Sequence, residues 1–287
     1  MIFISTAMYC EAKPFISHYG LKKDNNFTKF QVFKNNEIVL IITGTGLVSS
    51  AVGVTHMLTK YEVKPNDFFF NIGICGSKIK SKKVGNKVIE VGKGSVILAH
   101  KIINADSGNI FYTDMFFKHN FVEGVLETFS KVINSSEYFH KTEGDFIDME
   151  AAGIFEAASH FLYMHQINCI KIVSDFLDTH CISAEKVTKL IEDNMYDIVS
   201  WIDKIGQIGM QPKCILIDEY NDYIETLFYN LKLSETMRNE LTHLVKHYKM
   251  RKGNIKKILE PFLEVECKSK NEGKRQFAKL KEKLMEF

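Results

Sequence analysis

Short apolar runs alternate in the first part of the chain with longer stretches in which apolar residues recur every three to four positions. The short runs predict six strands: Ile2–Thr6, Ile38–Thr43, Phe68–Ile72, Lys87–Val91, Ser95–Ile103 and Cys169–Ser174. The longer stretches predict four helices: Val48–Lys60, Val122–Ile133, Met149–His165 and Ala184–Ile205. Strands that alternate with helices favour an α/β fold, in which helices cover both faces of a central sheet.

The pattern changes after the segment GQIGMQPKC, residues 206–214, where two glycines and a proline cluster. Beyond it the apolar spacing is almost wholly helical and marks four helices, the second of which can be capped by Ser234. We therefore predict an α/β domain over residues 1–208 and a helical C-terminal appendage over residues 209–287.

Composition indicates a globular protein, since 45% of the 287 residues are hydrophobic and 25% are charged. The formal net charge is only +2, which gives no overall field that favours nucleic acid. From Lys246 to Phe287, however, thirteen basic residues stand against six acidic ones. We interpret this tail as a solvated helical face; contacts with a second subunit, nucleic acid or another protein are alternatives.

The six cysteines have no C-x-x-C spacing, which favours reduced thiols and a cytoplasmic location. The opening residues MIFISTAMYCEAKPF lack a basic region and predict a strand rather than a signal peptide. No apolar run approaches the length of a membrane span.

Several polar residues follow predicted strands, at the edge of an α/β sheet where ligands bind. Glu11 comes after the first strand, and Ser174 with Asp175 ends the strand CIKIVSD. The apolar neighbours of Asp175 suit it to proton donation, although an aspartate that caps the next turn is an equal alternative. Gly44-Thr45-Gly46 can place backbone N–H groups beside a ligand, but this short pattern alone favours a plain tight turn.

The segment DMEAAGIFEAA places Glu150 in the first turn of a helix rich in small and apolar residues. One interpretation is a carboxylate that interacts with the helix dipole. The other is a carboxylate held at the mouth of the sheet, where it can accept hydrogen bonds from two vicinal ribose hydroxyls.

Taken in order, A-M-x-x-E, T-G-T-G, N-I-G-I-C-G, D-M-E-A-A and V-S-D resemble the purine nucleoside phosphorylase and methylthioadenosine–S-adenosylhomocysteine nucleosidase superfamily. The resemblance spans about residues 1–205 and leaves the appendage outside. It implies a three-layer αβα fold with a central mixed sheet, a homodimer or higher homo-oligomer, and a purine nucleoside as the small-molecule partner. It implies neither a metal nor a cofactor.

The resemblance also implies roles for individual residues. Glu11 would activate water, and Asp175 would protonate purine N7 with Ser174 in support. The remaining residues would bind substrate through the ribose, the base pocket or the Gly-x-Gly turn: Met149, Glu150, Cys75, Gly76 and Gly46. The implied reaction is hydrolysis of the N-glycosidic bond of an adenine nucleoside such as methylthioadenosine, S-adenosylhomocysteine or 5′-deoxyadenosine, with release of adenine.

Two alternatives stay open. A phosphorylase would need a phosphate site, and the three arginines, Arg238, Arg251 and Arg275, all lie in the appendage, although lysines could substitute. A nucleoside-binding protein with weak or no turnover is the second alternative. It is favoured by Ile74, where the family usually has Ser or Thr, and by a short segment before Asp148. Phe139, Phe146 or Tyr112 could stack on the base.

Overall fold

The computed structural model describes residues 1–84, 87–133, 143–178, 182–210, 220–252 and 255–285. The chain divides into two compact units, Met1–Gly209 and Met210–Phe287.

The first unit contains all twelve strands of the described residues. They are β1 Ile2–Thr6, β2 Lys22–Lys23, β3 Gln31–Lys34, β4 Ile38–Ile42, β5 Phe68–Ser77, β6 Ser81–Val84, β7 Lys87–Glu90, β8 Val96–Asn104, β9 Ile110–Tyr112, β10 Val122–Thr128, β11 Phe146–Asp148 and β12 Ile167–Asp175. Ten of them form one sheet in the order β11-β10-β8-β12-β5-β1-β4-β3-β2, with β9 beside β8. Parallel and antiparallel pairs both occur, so the predicted mixed sheet is confirmed.

Strand β11 closes part of this sheet on itself. It runs parallel to β10 and also pairs antiparallel with the end of β5, where Phe146 lies opposite Ser77 and Ile147 opposite Gly76. This short strand therefore brings the segment before Glu150 to the end of β5.

Helices cover both faces of the sheet, as the alternating pattern predicts. They are α1 Tyr9–His18, α2 Leu47–Lys60, α3 Ala151–Ser159 and α4 Ala184–Met210. Phe3 and Phe69 pack in one core cluster with α2 and α3, whereas Ile4 and Phe70 pack in the other with α1 and α4. Successive strand residues point to opposite faces, and apolar residues at both positions bury the strand on both sides.

Helix α1 contains Pro14 in its interior, where a proline normally removes a backbone hydrogen bond. The carbonyl left without its helical donor belongs to Cys10, four residues earlier. The Thr188 hydroxyl donates to this oxygen at 2.9 Å. A side chain from α4 thus replaces the missing bond, and the helix that carries Glu11 continues past Pro14.

One predicted helix is wrong. Val122–Ile133 was expected to be helical, but Val122–Thr128 is strand β10. Its register shifts between Gly124 and Val125, and a side chain at Gly124 would lie 2.2 Å from the ring of Phe146. Gly124 makes room for that ring, so tertiary packing overrides the helical spacing.

The helix predicted over Met149–His165 is shorter in the structure. It begins at Ala151, ends at Ser159, and is followed by a 3₁₀ turn at Met164–Gln166. Glu150 is therefore the residue that precedes the helix, not a member of its first turn.

The second unit consists, in its described part, of four helices: α5 Asn221–Asn230, α6 Glu235–Lys252, α7 Lys256–Leu263 and α8 Lys270–Met285. They bury their own apolar cluster, which includes Leu227, Leu241 and Leu280. The Met237 N–H donates to the Ser234 hydroxyl at 3.3 Å, so the predicted cap is confirmed. Among the described helices, none is long and apolar enough to cross a bilayer.

Candidate active site

Strands β1, β4, β5 and β12 run parallel and end at one edge of the sheet. Ala7 and Met8 follow β1, and the Gly-x-Gly turn follows β4. Because ligands in open α/β sheets bind beyond the carboxyl ends of parallel strands, this edge is where a site is expected.

Glu11 lies in the first turn of α1 and is 2% exposed. One carboxylate oxygen, Oε2, accepts the N–H groups of Ala7 and Met8 at 2.9 and 3.0 Å. The other, Oε1, accepts the N–H of Ile74 at 3.0 Å. Burial raises the pKa of Glu11, opposed by Lys171 and by these three N–H donors. The result is a fixed carboxylate that can take up a proton.

Two glycines of β5 make room for site side chains. A side chain at Gly73 would begin 2.9 Å from Glu11 Oε1, and one at Gly76 would begin 2.4 Å from Leu177 Cδ2. The space beside each glycine is thus occupied by a protein side chain.

Glu150 is 8% exposed, and its Oε1 accepts the N–H of Gly46 at 3.0 Å. Gly46 has φ +94, a conformation that favours glycine. The helix after Glu150 is capped by another acid: Asp148 Oδ2 accepts the Ala151 N–H at 2.9 Å. Asp148 therefore provides the side-chain cap of this helix, while the Glu150 carboxylate binds the Gly46 N–H.

Lys171 is a buried cation in the middle of β12, and its Nζ lies 2.9 Å from Asp148 Oδ2. Burial acts to lower the pKa of Lys171, but Asp148 and Glu150 outweigh burial and raise it. Burial also raises the pKa of Glu150, to about 7, against the attraction of Lys171. The positive charge of Lys171 thus compensates the negative charge of three buried carboxylates, which belong to Asp148, Glu150 and Glu11.

Ser174 and Asp175 are neighbours on a strand, and a regular strand would point them to opposite faces. The pairing of β12 with β5 is irregular here: Val173 lies opposite Cys75 and Asp175 opposite Gly76, which leaves Ser174 as the extra residue. Such a bulge re-aims side chains. Ser174 Oγ lies 2.5 Å from Asp175 Oδ2 and 3.1 Å from the Cys75 carbonyl oxygen.

These residues surround one cavity of about 240 Å³, which we call the central cavity. Seven of the eight predicted site residues line it: Glu11, Cys75, Gly76, Met149, Glu150, Ser174 and Asp175. The eighth, Gly46, does not line the cavity but donates its N–H to Glu150, which does. A larger cavity of about 540 Å³ adjoins at Ser174 and Asp175, and three lysines, Lys93, Lys186 and Lys189, line it.

None of the aromatic residues predicted to stack on a base lines the central cavity as described. Phe146 is fully buried in the core, Tyr112 is 64% exposed on β9, and Phe139 lies outside the described residues. The apolar lining comes instead from aliphatic side chains, including Ile74, Ile133, Ile147 and Leu177.

Sequence reasoning missed Lys171, Asp148 and Leu177. The signal for Lys171 was a single lysine inside the apolar run CIKIV, since a buried lysine needs an acidic partner. No group of three or more His, Cys, Asp or Glu within the described ranges is arranged to hold a metal ion.

No family model matches the chain. A 5′-methylthioadenosine/S-adenosylhomocysteine nucleosidase from Buchnera aphidicola subsp. Schizaphis graminum is 26% identical over 194 residues. The match covers 60% of this chain and 80% of that protein.

Solved structures share the fold of the first unit. The 5′-methylthioadenosine/S-adenosylhomocysteine nucleosidase of Helicobacter pylori with butyl-thio-DADMe-Immucillin-A matches with a TM-score of 0.58 at 16% identity, over 71% of this chain and 97% of that one. The Neisseria meningitidis nucleosidase with methylthio-immucillin-A matches with 0.56 at 20% identity, over 71% and 98%. Futalosine hydrolase of Helicobacter pylori matches with 0.57 at 16% identity, over 71% and 97%. The chain is thus similar in sequence to one 5′-methylthioadenosine/S-adenosylhomocysteine nucleosidase and shares its fold with the solved nucleosidases and with futalosine hydrolase.

Proposed function

We propose that the protein hydrolyses the N-glycosidic bond of an adenine nucleoside and releases adenine. One observation carries the proposal: Glu11, Glu150 and Asp175, far apart in the sequence, line the same small cavity. A base, a sugar ligand and an acid are the groups that this hydrolysis needs.

Glu11 acts as the general base. Its carboxylate is held by three backbone N–H groups, so it does not need to reorganise when water binds beside it. The water oxygen forms the new bond to the anomeric carbon while one of its protons passes to Glu11. General base catalysis of this kind contributes about 10²–10⁴-fold.

Glu150 holds the sugar. The Gly46 N–H fixes Oε1 and thereby aims the carboxylate, which accepts hydrogen bonds from the two ribose hydroxyls. Fixing the ribose in this way lowers the entropic part of the barrier. A relative is named for methylthioadenosine and S-adenosylhomocysteine, and both of those nucleosides present such a hydroxyl pair.

Asp175 acts as the general acid. The bond from the anomeric carbon to the base breaks with its electron pair going to the base, and a proton from Asp175 neutralises purine N7. The Ser174 hydroxyl accommodates both states of this acid. It can accept from protonated Asp175 while it donates to the Cys75 carbonyl, and it can donate to the ionised carboxylate afterwards.

Incubating the purified protein with methylthioadenosine, S-adenosylhomocysteine and 5′-deoxyadenosine tests the proposal. We expect adenine and free sugar without added phosphate, and loss of turnover in Glu11→Gln and Asp175→Asn with the circular dichroism spectrum unchanged. Full turnover in both variants would contradict the assignment of the base and the acid.

Phosphorolysis is the second candidate reaction, and the same assay separates it because its product is a sugar 1-phosphate. Lys131 lines the central cavity and could attract an anion. The Glu11 carboxylate, however, faces the same space and repels phosphate, and residues 1–208 contain no arginine. Binding without adenine release would instead support a nucleoside-binding protein, consistent with Ile74 beside Glu11.

We also propose that the protein is a homo-oligomer, at least a dimer. Val48 and Val52 lie one turn apart on α2, close after Gly46, and are 78% and 54% exposed. An apolar pair of this kind favours contact with a second subunit. Light scattering after size-exclusion chromatography should give a dimer or larger species, and Val48→Glu with Val52→Glu should shift it to the monomer. A wild-type monomer at micromolar concentration would refute the proposal.

A cytoplasmic location and the division into residues 1–208 and 209–287 remain predictions. The cysteines of the described residues, Cys10, Cys75, Cys169 and Cys267, are free thiols, in keeping with a reducing compartment. Contact of the basic appendage with nucleic acid remains an alternative. It can be tested by measuring nucleic-acid binding at several salt concentrations.

A further inference from the structure

Leu177, two residues after Asp175, has an unusual backbone conformation. Its φ is +59, and Lys232 is the other non-glycine residue with positive φ in the described part of the chain. The left-handed conformation is unfavourable for residues other than glycine, because the β-carbon then lies too close to the following carbonyl oxygen. It persists where the surrounding structure determines it, and such residues cluster at functional sites.

The side chain of Leu177 is wedged into the end of the sheet. It is 8% exposed and packs in a small apolar cluster with Ile133 and Ile147. Its Cδ2 lies where a side chain of residue 76 would begin, 2.4 Å from a β-carbon placed on Gly76. Glycine at position 76 therefore provides the space for Leu177, and the packed side chain holds the left-handed turn.

This turn points the Leu177 N–H at the acid. The N–H donates to Asp175 Oδ1 at 2.8 Å, while Ser174 Oγ contacts Oδ2 at 2.5 Å. Each carboxylate oxygen is thus held by one neighbour, which fixes the rotation of the group about its side-chain bonds. Leu177 and Asp175 both line the central cavity.

We propose that Leu177 is a positioning residue for the general acid: its side chain, wedged beside Gly76, holds the turn whose N–H aims Asp175 at the departing base. The inference rests on the proposed function, because it takes Asp175 as the acid. Leu177 neither donates nor accepts the proton. Its side chain affects proton transfer only by fixing the orientation of the Asp175 carboxyl group.

The test compares Leu177→Ala with Leu177→Gly. Both remove the wedge, but glycine adopts the left-handed conformation at no steric cost and alanine does not. We expect kcat for methylthioadenosine to fall at least tenfold in Leu177→Ala and by less in Leu177→Gly. Phe129→Leu is the control, because Phe129 packs against the same apolar cluster without lining the central cavity, and the change leaves the turn in place.

A second substrate separates positioning from a general loss of structure. 4-Nitrophenyl β-riboside has a leaving group that departs as a stable anion, so its cleavage does not need the acid. Leu177→Ala should lose at least fivefold less kcat on this substrate than on methylthioadenosine, whereas Phe129→Leu should affect both substrates alike. Equal losses on both substrates in Leu177→Ala, or no loss on either, would overturn the proposal.

A third measurement does not depend on turnover. Amide hydrogen exchange by NMR should show a protected N–H at residue 177 in the wild type, with protection at least tenfold lower in Leu177→Ala. Unchanged protection would show that the Leu177 side chain does not hold the turn. If the wild type cleaves neither substrate, the proposed function fails, while lost protection in the variant still supports the held turn.

Discussion

At the Glu11 end of the central cavity, ionisable groups are buried together and compensate one another, whereas at the Asp175 end an apolar side chain and a strained turn hold a single acid. Glu11, Glu150 and Asp148 share the cation of Lys171. Asp175 is held by a neighbouring hydroxyl and a backbone N–H. The proposed base and the proposed acid are therefore held differently: buried charge and backbone N–H groups surround Glu11, whereas a packed side chain and its turn hold Asp175.

The largest expected effects come from replacing Glu11 or Asp175, and two substrates with different leaving groups distinguish these variants. Glu11→Gln should lower kcat by about 10²–10⁴-fold on both methylthioadenosine and 4-nitrophenyl β-riboside, because both need an activated water. Asp175→Asn should match that loss on methylthioadenosine and spare the nitrophenyl substrate. The measurement is kcat of each variant on each substrate. Equal losses on both substrates in both variants would contradict different roles for the two ends of the cavity.

Lys171→Met should be the most destabilising change, since it leaves three buried carboxylates without their cation. Breaking a buried pair in this way costs about 3–5 kcal/mol. Urea denaturation at pH 8 measures the free energy of unfolding, and the deficit should shrink at pH 5, because burial raises the pKa values of Glu11 and Glu150 and favours their protonation there. Lys189→Met is the control, because that lysine is 69% exposed and its pair with Asp193 lies on the surface. Similar values for both variants would contradict the charge balance proposed for this end.

Glu150→Gln should change how stability depends on pH. The Glu150 pKa of about 7 lies above the ordinary value of 4.5, so the folded protein binds this proton more tightly than the unfolded chain. The resulting stability is present below pH 4.5 and is lost as pH rises to about 7.

Above pH 7 the glutamine variant should therefore be more stable than the wild type, by about 1–3 kcal/mol, and near pH 4.5 the two should converge. Thermal unfolding between pH 4.5 and 8.5 checks this, and a constant difference would mean that Glu150 titrates normally. The KM for nucleoside should also rise in the wild type below pH 7, as the carboxylate becomes protonated.

The smallest expected effect concerns Ser174. Ser174→Ala removes the hydroxyl between Asp175 and Cys75, and we expect kcat to fall by about tenfold, as for one lost hydrogen bond to a charged group. Ser174→Thr keeps the hydroxyl and should retain most of the activity. Steady-state kinetics on methylthioadenosine compare them, and a loss in the threonine variant equal to that in alanine would point to packing instead.

The fold could be predicted where the sequence pattern and the packing agree. The first strand occupies Ile2–Thr6 as expected, and helix α2 begins one residue before its predicted start. Prediction failed at Val122–Thr128, because this strand packs the ring of Phe146 against Gly124, and the local sequence does not show a contact with another strand. It also failed for α1, where Pro14 argues against a helix until Thr188 supplies a hydrogen bond.

The candidate site could be predicted as a set of acids at strand ends, and Glu11, Glu150 and Asp175 do reach one cavity. How they are held could not be predicted. The bulge that turns Ser174 and Asp175 to the same side depends on pairing with β5. The partners of Glu11 and Glu150 lie 63 and 104 residues away, at Ile74 and Gly46, and local sequence carries no sign of such contacts.

The double pairing of β11 has a consequence for how the protein folds. Ile147 meets Gly76 across a long stretch of intervening chain, and closing such loops is slow compared with forming helices. A nascent chain that ends before Phe146 would have most of the central strands but neither Glu150 nor Asp175. Under the proposed function, activity should therefore arise late in synthesis, once β11 and β12 have both left the ribosome.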